Sequence, residues 1–180
     1  MVNKALEVIE AHYLFDLPAE QIEVLVHPQS IVHSMVEYCD GSVLSQMGAS
    51  DMRTPIANVL AWPDRLDTPG KRLSLKDVGS LSFEVPDLER FPALAMAYDC
   101  IDRGGYACVA FNAANEVAVE AFLGGSLDFL GIIDCIGYAL ERAVAKKLPT
   151  IKDVQNYDQD IRNAARAYIN NEQKTKAKLV

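Results

Sequence analysis

The stretch HPQSIVHSMVEYCDGSVLSQM, residues 27–47, carries the clearest structural signal in the chain. From Val32 to Cys39, one set of side chains alternates with another, which is typical of the two faces of a β-strand; the first set is Val32, Ser34, Val36 and Tyr38, and the second is His33, Met35, Glu37 and Cys39. Asp40-Gly41 then supplies a tight turn, and Ser42 to Met47 returns as a second strand. The stretch therefore predicts a β-hairpin. If one face of this hairpin packs on a core, the other is a platform.

That platform would carry His33, Met35 and Glu37, with His27 just before the first strand. A lone histidine near a strand is usually a hydrogen-bonded structural group. Two of them within one short stretch leave the structural and the functional interpretations about equally open. Their spacing does not match a two-histidine helical zinc motif, so we do not predict a zinc site.

The first residues, Val2 to Phe15, have a helical pattern that places Asn3, Lys4 and Glu7 on one turn. Glu7 has two interpretations: a solvated carboxylate near a helix N-terminus, or a ligand for a hard divalent cation beside a lysine that binds an anionic substrate. Mg²⁺ and Mn²⁺ usually take more than one carboxylate, and the sequence offers Glu7 no convincing Asp-x-Glu partner. If Glu7 binds metal, we expect the remaining ligands to come from elsewhere.

The fold class predicted from the whole pattern is α+β: a helix, strands and the hairpin, then a long arm, then a helical bundle. Beside the hairpin we predict strands at Gln21 to Val26 and Leu81 to Val85, and a helix from Thr54-Pro55 to Trp62-Pro63. The remaining segments are predicted helices of a four-helix bundle, at Phe91–Arg103, Ala107–Leu123, Leu127–Lys147 and Asp158–Lys176. The corresponding domains are residues 1–62, an arm at 63–87 and residues 88–180.

Composition narrows the classes of function. Half of the 180 residues are hydrophobic, enough for a packed core, and the formal net charge is −8. Such a charge disfavours nucleic acid and anionic lipid as partners, and the one basic run, Lys174 to Lys178, reads as a solvated helix end. No secretory signal or membrane-spanning run is visible, and four cysteines without CxxC spacing suggest core residues in a reducing cytosol. We expect a cytoplasmic protein.

The segment Asn112 to Glu116 places two asparagines and a glutamate among alanines within a predicted helix. Asparagine is a poor helix former, so a polar network that docks on another surface is favoured over catalysis. Elsewhere the sequence has no glycine-rich phosphate loop, nucleophile elbow or GxGxxG.

Five stretches together resemble the 1-deoxy-D-xylulose 5-phosphate reductoisomerase family. They are Met1–Ala11, Val24–Val36, Asp40–Leu44, Asp51–Ala57 and Asn112–Glu116, in unbroken order along nearly the whole chain. The resemblance is to the C-terminal portion of that enzyme. It implies that residues 1–62 are a remnant of an α/β catalytic and dimerisation lobe, and that residues 88–180 are the C-terminal helical domain.

The resemblance also implies a function. The family rearranges 1-deoxy-D-xylulose 5-phosphate and reduces the product with NADPH to 2-C-methyl-D-erythritol 4-phosphate, in non-mevalonate isoprenoid synthesis, using Mg²⁺, Mn²⁺ or Co²⁺. Glu7 would be one of three carboxylate metal ligands and would contact substrate with Asn3 and Lys4. His33 would line the catalytic pocket, and Met52 would pack near the nicotinamide. Asn112–Glu116 would buttress the active-site lobe.

The family's NADPH domain, its Asp-x-Glu ligands, the serines of its phosphate pocket and its mobile loop have no counterpart in this sequence. We therefore expect a truncated homodimeric enzyme that neither binds NADPH nor turns over substrate alone. The alternative is a non-catalytic dimerisation or binding module derived from that enzyme. An independent metal hydrolase would need a second carboxylate beside Glu7.

Overall fold

A computed structural model describes residues 1–177 of the chain, with side chains through residue 174. Residues 1–24 and the residues from 87 onward form one compact unit, and residues 25–86 form a second. The helices and strands are α1 Val2–Phe15, β1 Val32–Glu37, β2 Val43–Met47, α2 Arg53–Ala61, α3 Leu75–Val78, α4 Pro92–Arg103, α5 Gly105–Leu123, α6 Gly131–Arg142 and α7 Ile151–Ala177. The basic run Lys174 to Lys178 continues α7 through residue 177, and residue 178 lies outside the described residues.

The first unit is helical and is organised around α5. This helix packs against α4, α6 and α7, and α1 packs mainly on α4. Small buried side chains of α5 allow this close approach: Ala107, Ala110, Ala113, Ala114 and Ala118. Phe111, Leu94 and Ile136 fill the space between the helices and are fully buried. Burial of these apolar groups is the main stabilising contribution to the unit.

The four predicted helices after residue 88 are present, but the prediction of a four-helix bundle is not confirmed, because α1 joins them in the same unit. The helix predicted to reach Lys147 ends at Arg142. There Arg103 Nη2 donates to the carbonyls of Leu140 (2.8 Å) and Ala143 (3.3 Å), which caps the helix from a distant part of the chain.

The last helix begins at Ile151, earlier than the predicted Asp158. Thr150 and Asp153 explain this start, because each side chain accepts a hydrogen bond from the other's backbone N–H, at 3.2 Å in both cases. This reciprocal arrangement is a capping box, with Asp153 in the position usually held by Glu.

The second unit contains the predicted hairpin, which is confirmed. Strands β1 and β2 pair antiparallel, and Gly41 adopts a φ of 81° in the turn. The predicted strands at Gln21–Val26 and Leu81–Val85 are wrong: the described structure has an isolated bridge between Val26 and Glu84 in their place. The first of these segments instead begins within a short 3-10 helix, Ala19–Gln21, in the helical unit.

Neither face of the hairpin is buried. Along β1 only Val32 is half-buried, and on both strands apolar side chains such as Val36 (56% exposed) and Leu44 (64%) are accessible. Within the described residues, the condition that one face of the hairpin packs on a core is therefore not fulfilled. An apolar surface of this kind is typical of a surface that binds another chain or segment.

The two units divide the chain differently from the predicted boundaries. The predicted boundary after residue 87 lies next to the observed one, but α1 groups with the helical domain and residues 63–86 group with the hairpin. The assignment of residues 1–62 to a catalytic lobe stays a prediction. Among the described residues, no helix is both long and apolar enough to cross a membrane.

The helical core generates a prediction of stability. Replacing the fully buried Phe111 with alanine is expected to lower the free energy of unfolding of the helical unit by about 3–5 kcal/mol, because it leaves a cavity. Leu123→Ala, at a side chain 77% exposed on the same helix, is the control and is expected to change it by less than about 0.5 kcal/mol. Urea unfolding followed by helical circular dichroism measures both; equal effects would contradict the assigned core.

Candidate functional site

Helix α1 presents the predicted polar cluster. Ala5, Val8 and Ile9 are buried on one face of the helix, and this places Asn3, Lys4 and Glu7 on the other. The amide Nδ2 of Asn3 donates to Glu7 Oε1 at 2.7 Å, and the ammonium of Lys4 forms an ion pair with Glu7 Oε2. The structure therefore brings all three predicted residues together around one carboxylate.

Asn3, Lys4 and Glu7 form what we call the α1 cluster. Its chemistry suits a ligand that carries an anionic group and binds together with a divalent cation. A carboxylate oxygen and an amide oxygen are ligands for hard divalent cations, and a lysine ammonium pairs with phosphate. Lys4 and Glu7 are each 44% exposed, so both are accessible. Within the part of the chain described, no group of three or more His, Cys, Asp or Glu residues can hold a metal. Among the described residues, Glu7 is therefore not part of a complete cation site, and it could supply at most one carboxylate to one.

His33 lies in an irregularity of the hairpin. Val32 pairs with Met47 while Ser34 pairs with Gln46, so His33 is the extra residue of a β-bulge. A bulge re-aims the side chain it carries and is common beside active sites. The imidazole is exposed and its Cε1 lies near Gly48, where an added Cβ would stand 3.9 Å away. The His33 ring is thus exposed at the bulge, whereas the His27 ring is held by hydrogen bonding and stacking.

Met52 immediately precedes α2 and is 71% exposed. Its two neighbours hold this loop, and sequence reasoning missed them. Arg53 donates to Asp51 through its backbone N–H (3.0 Å), Nε (2.9 Å) and Nη2 (2.6 Å). These hydrogen bonds lower the pKa of Asp51 to about 2. The Asp-x-Arg spacing before a helix start is the local signal that could have shown this pair.

The Asn112–Glu116 segment docks one helix on another. Asn112 Nδ2 donates to Glu116 Oε1 at 3.1 Å, and Arg162 of α7 donates to Glu116 Oε2 at 2.6 Å. Arg162 also binds Asp158, and these carboxylates raise its pKa. This network favours the docking interpretation. Sequence reasoning missed Arg162 because its partner lies 46 residues away.

All four cysteines are unpaired. Burial raises the pKa of Cys100 to about 12 and that of Cys135 to about 11, so neither is a reactive thiolate at neutral pH. The expectation that every cysteine is a core residue is wrong for Cys39, which follows β1 and is exposed.

Comparison with known proteins decides the family. The model of the DXP reductoisomerase C-terminal domain matches residues 47–164, more than half of the chain. The chain belongs to the DXP reductoisomerase family. A DXP reductoisomerase of Cupriavidus pinatubonensis is 56% identical over 167 residues, which are 93% of this chain and 42% of that protein. One of Paraburkholderia phytofirmans is 53% identical over 169 residues, covering 94% and 42%.

Solved structures of DXP reductoisomerases agree with this. The enzyme of Zymomonas mobilis in complex with NADPH is 47% identical with a TM-score of 0.87, over 94% of this chain and 45% of that one. A DOX-P reductoisomerase in complex with magnesium is 40% identical with a TM-score of 0.88, over 96% and 46%. This chain therefore spans less than half the length of the relatives it matches.

The Asp51–Arg53 pair generates a prediction of pH dependence. A carboxyl whose pKa is lower in the folded than in the unfolded chain stabilises the fold above its unfolded pKa, near 3.9, and this stabilisation is lost as pH falls toward 2. We expect the Asp51 carboxyl carbon to titrate near 2 by NMR, and nearer its ordinary value in Arg53→Met. Asp40, whose pKa is lowered by Ser42, is the internal control and should not respond to Arg53→Met. A wild-type Asp51 midpoint near 4 would contradict the pairing.

Proposed function

We propose that this chain supplies the C-terminal part of the machinery that converts 1-deoxy-D-xylulose 5-phosphate to 2-C-methyl-D-erythritol 4-phosphate. The observation that supports this most is the α1 cluster, in which Asn3 and Lys4 surround the Glu7 carboxylate. Its combination of an ammonium, an amide and a carboxylate suits a phosphorylated polyol substrate held beside a divalent cation. The family relationship and the NADPH and magnesium in related structures are consistent with it.

Each site residue has a role in this proposal. Lys4 pairs with the substrate's phosphate end, while Asn3 donates to a substrate hydroxyl or phosphate oxygen. Glu7 provides one carboxylate ligand for Mg²⁺, Mn²⁺ or Co²⁺, an ion that stabilises a developing oxyanion when bound. In this proposal His33 contributes to substrate binding, and Met52 contributes to binding the nicotinamide of NADPH.

The same geometry argues that the chain needs further residues for turnover. A single carboxylate leaves most positions of a six-coordinate cation to other ligands. The sequence also has no glycine-rich turn to hold the pyrophosphate of NADPH. We therefore propose that residues 1–180 alone neither bind NADPH nor catalyse the reaction. The unpaired cysteines are compatible with action in the cytoplasm.

A second candidate function is a non-catalytic dimerisation or binding module. The observation that favours it is the hairpin, whose strand edges and apolar side chains are accessible. Homodimer formation through this surface is compatible with either function. Sedimentation velocity that shows only monomer at high protein concentration would contradict homodimer formation through this surface.

NADPH oxidation with Mn²⁺ and substrate tests the proposal. We expect no turnover by the chain alone, and turnover when it is mixed with the separately produced N-terminal portion of a relative. Glu7→Gln is expected to reduce that turnover by about 100-fold or more, because charge stabilisation by a bound cation is worth several kcal/mol.

Glu10→Gln is the matched control, since Glu10 is an exposed carboxylate on the same helix with no assigned role. It is expected to leave turnover unchanged. A rate for the chain alone close to that of a complete enzyme, or equal rates for Glu7→Gln and wild type, would contradict the proposal.

A further inference from the structure

Val26, which precedes the hairpin, forms an isolated β-bridge with Glu84 of the arm. Val26 and Glu84 exchange both backbone hydrogen bonds, N–H of Val26 to O of Glu84 at 2.8 Å and N–H of Glu84 to O of Val26 at 2.9 Å. This bridge stands outside the named strands. A single pair of such bonds is weak by itself. Side chains beside it must therefore hold the two segments together.

His27 provides that contact. Its Nδ1 lies 2.8 Å from the carbonyl oxygen of Ser82, and its ring stacks on Phe83 with centroids 4.6 Å apart and planes inclined by 17°. A carbonyl only accepts, so Nδ1 carries the proton. The other nitrogen, Nε2, is buried and has no hydrogen-bond partner. Gln29 adds a further bond from its Nε2 to Ser82 Oγ at 2.8 Å.

Hydrogen bonds hold the backbone between His27 and His33 at several positions. The N–H of Ser30 donates to the His27 carbonyl at 3.0 Å, which closes a tight turn, and Ser30 adopts a φ of 51°. Ser50 Oγ donates to the Ser30 carbonyl at 2.8 Å, and the Gly48 N–H donates to the Ile31 carbonyl at 3.0 Å. The chain then enters β1, whose second residue is the bulged His33.

We propose that His27 is a positioning residue for His33. Its Nδ1–H bonds the Ser82 carbonyl and its ring stacks on Phe83, which clamps the arm beside Val26, and the tight turn that begins at His27 carries this constraint into the bulge. The direction of a bulged side chain depends on how the strand enters the bulge. His27 thus acts through His33 and does not itself touch substrate; the substrate contact of His33 rests on the proposed function.

The pair His27→Asn and His27→Gln tests the clamp. The amide nitrogen of Asn occupies the position of imidazole Nδ1 and keeps the donor to Ser82, whereas that of Gln occupies the position of Nε2 and loses it. In His27→Gln we expect the amides of Val26 and Glu84 to exchange with deuterium roughly five- to tenfold faster, since one net hydrogen bond is lost. Both variants lose the ring stack on Phe83, so the difference between them reports the donor alone, and the exchange in His27→Asn is expected to be closer to wild type than in His27→Gln.

Imidazole NMR supplies the readout that a purely structural role would not change. We expect the His33 ring resonances to shift in His27→Gln and to return to wild-type values in His27→Asn. His12 is the internal control, because its Nδ1 contacts the Leu17 carbonyl at 2.6 Å in the helical unit, and its resonances should not change.

Spectra of the wild-type chain alone test the His27 tautomer on which the clamp depends. A neutral His27 with its proton on Nε2 would overturn the proposal, even if the Gln variant fails to fold. Unchanged His33 resonances in a folded His27→Gln would overturn the positioning role. Absence of turnover in the wild-type mixture with these spectral differences intact would instead count against the proposed function. The two failures are therefore distinguishable.

Discussion

The packing of α1 on α4 is the contact on which the account of this chain depends. Ala5, Val8 and Ile9 are buried in the helical unit, and their spacing along one face leaves Asn3, Lys4 and Glu7 on the accessible side. A helix of this length has little stability of its own in water, so the tertiary contact keeps the three polar groups on one turn. The chemistry of the α1 cluster therefore depends on apolar packing behind it.

Coordination chemistry limits what the α1 cluster does alone. Divalent cations of the magnesium type keep waters and substrate oxygens as ligands, but they bind weakly where the protein provides little negative charge. Here the charge of Glu7 is partly compensated by the Lys4 ammonium. Among the described residues, Lys4 and Glu7 are thus paired with each other, and the proposed function requires an anionic ligand at Lys4 and further carboxylates beside Glu7. The same residues would form a complete site only with additional ligands.

Local signals explain which features could be predicted from the sequence. The hairpin was predictable because alternation and Asp40-Gly41 act within a few residues, and the α1 cluster because helical spacing defines a face. The start of α7 was readable from Thr150 and Asp153 but was missed. Long-range partners were not readable: the Arg162–Glu116 pair joins two helices that nothing in the local sequence brings together.

The strands at Gln21–Val26 and Leu81–Val85 were predicted from the sequence, but the described structure does not contain them. Both have apolar residues suitable for strands, yet a strand needs a hydrogen-bonding partner along its length, and they share one bridge. The contacts of His27 and Gln29 with Ser82 take the place of a longer ladder. The strand-like pattern of each segment therefore did not reveal that the two segments contact each other.

Titration of the chain with Mn²⁺, followed by electron paramagnetic resonance of the free ion, tests most directly whether Glu7 is one ligand of a site completed elsewhere. We expect binding no tighter than about 1 mM, because one partly compensated carboxylate provides too little charge. Stoichiometric binding at micromolar Mn²⁺ that is lost in Glu7→Gln would contradict it, since residues 1–180 would then form a complete cation site.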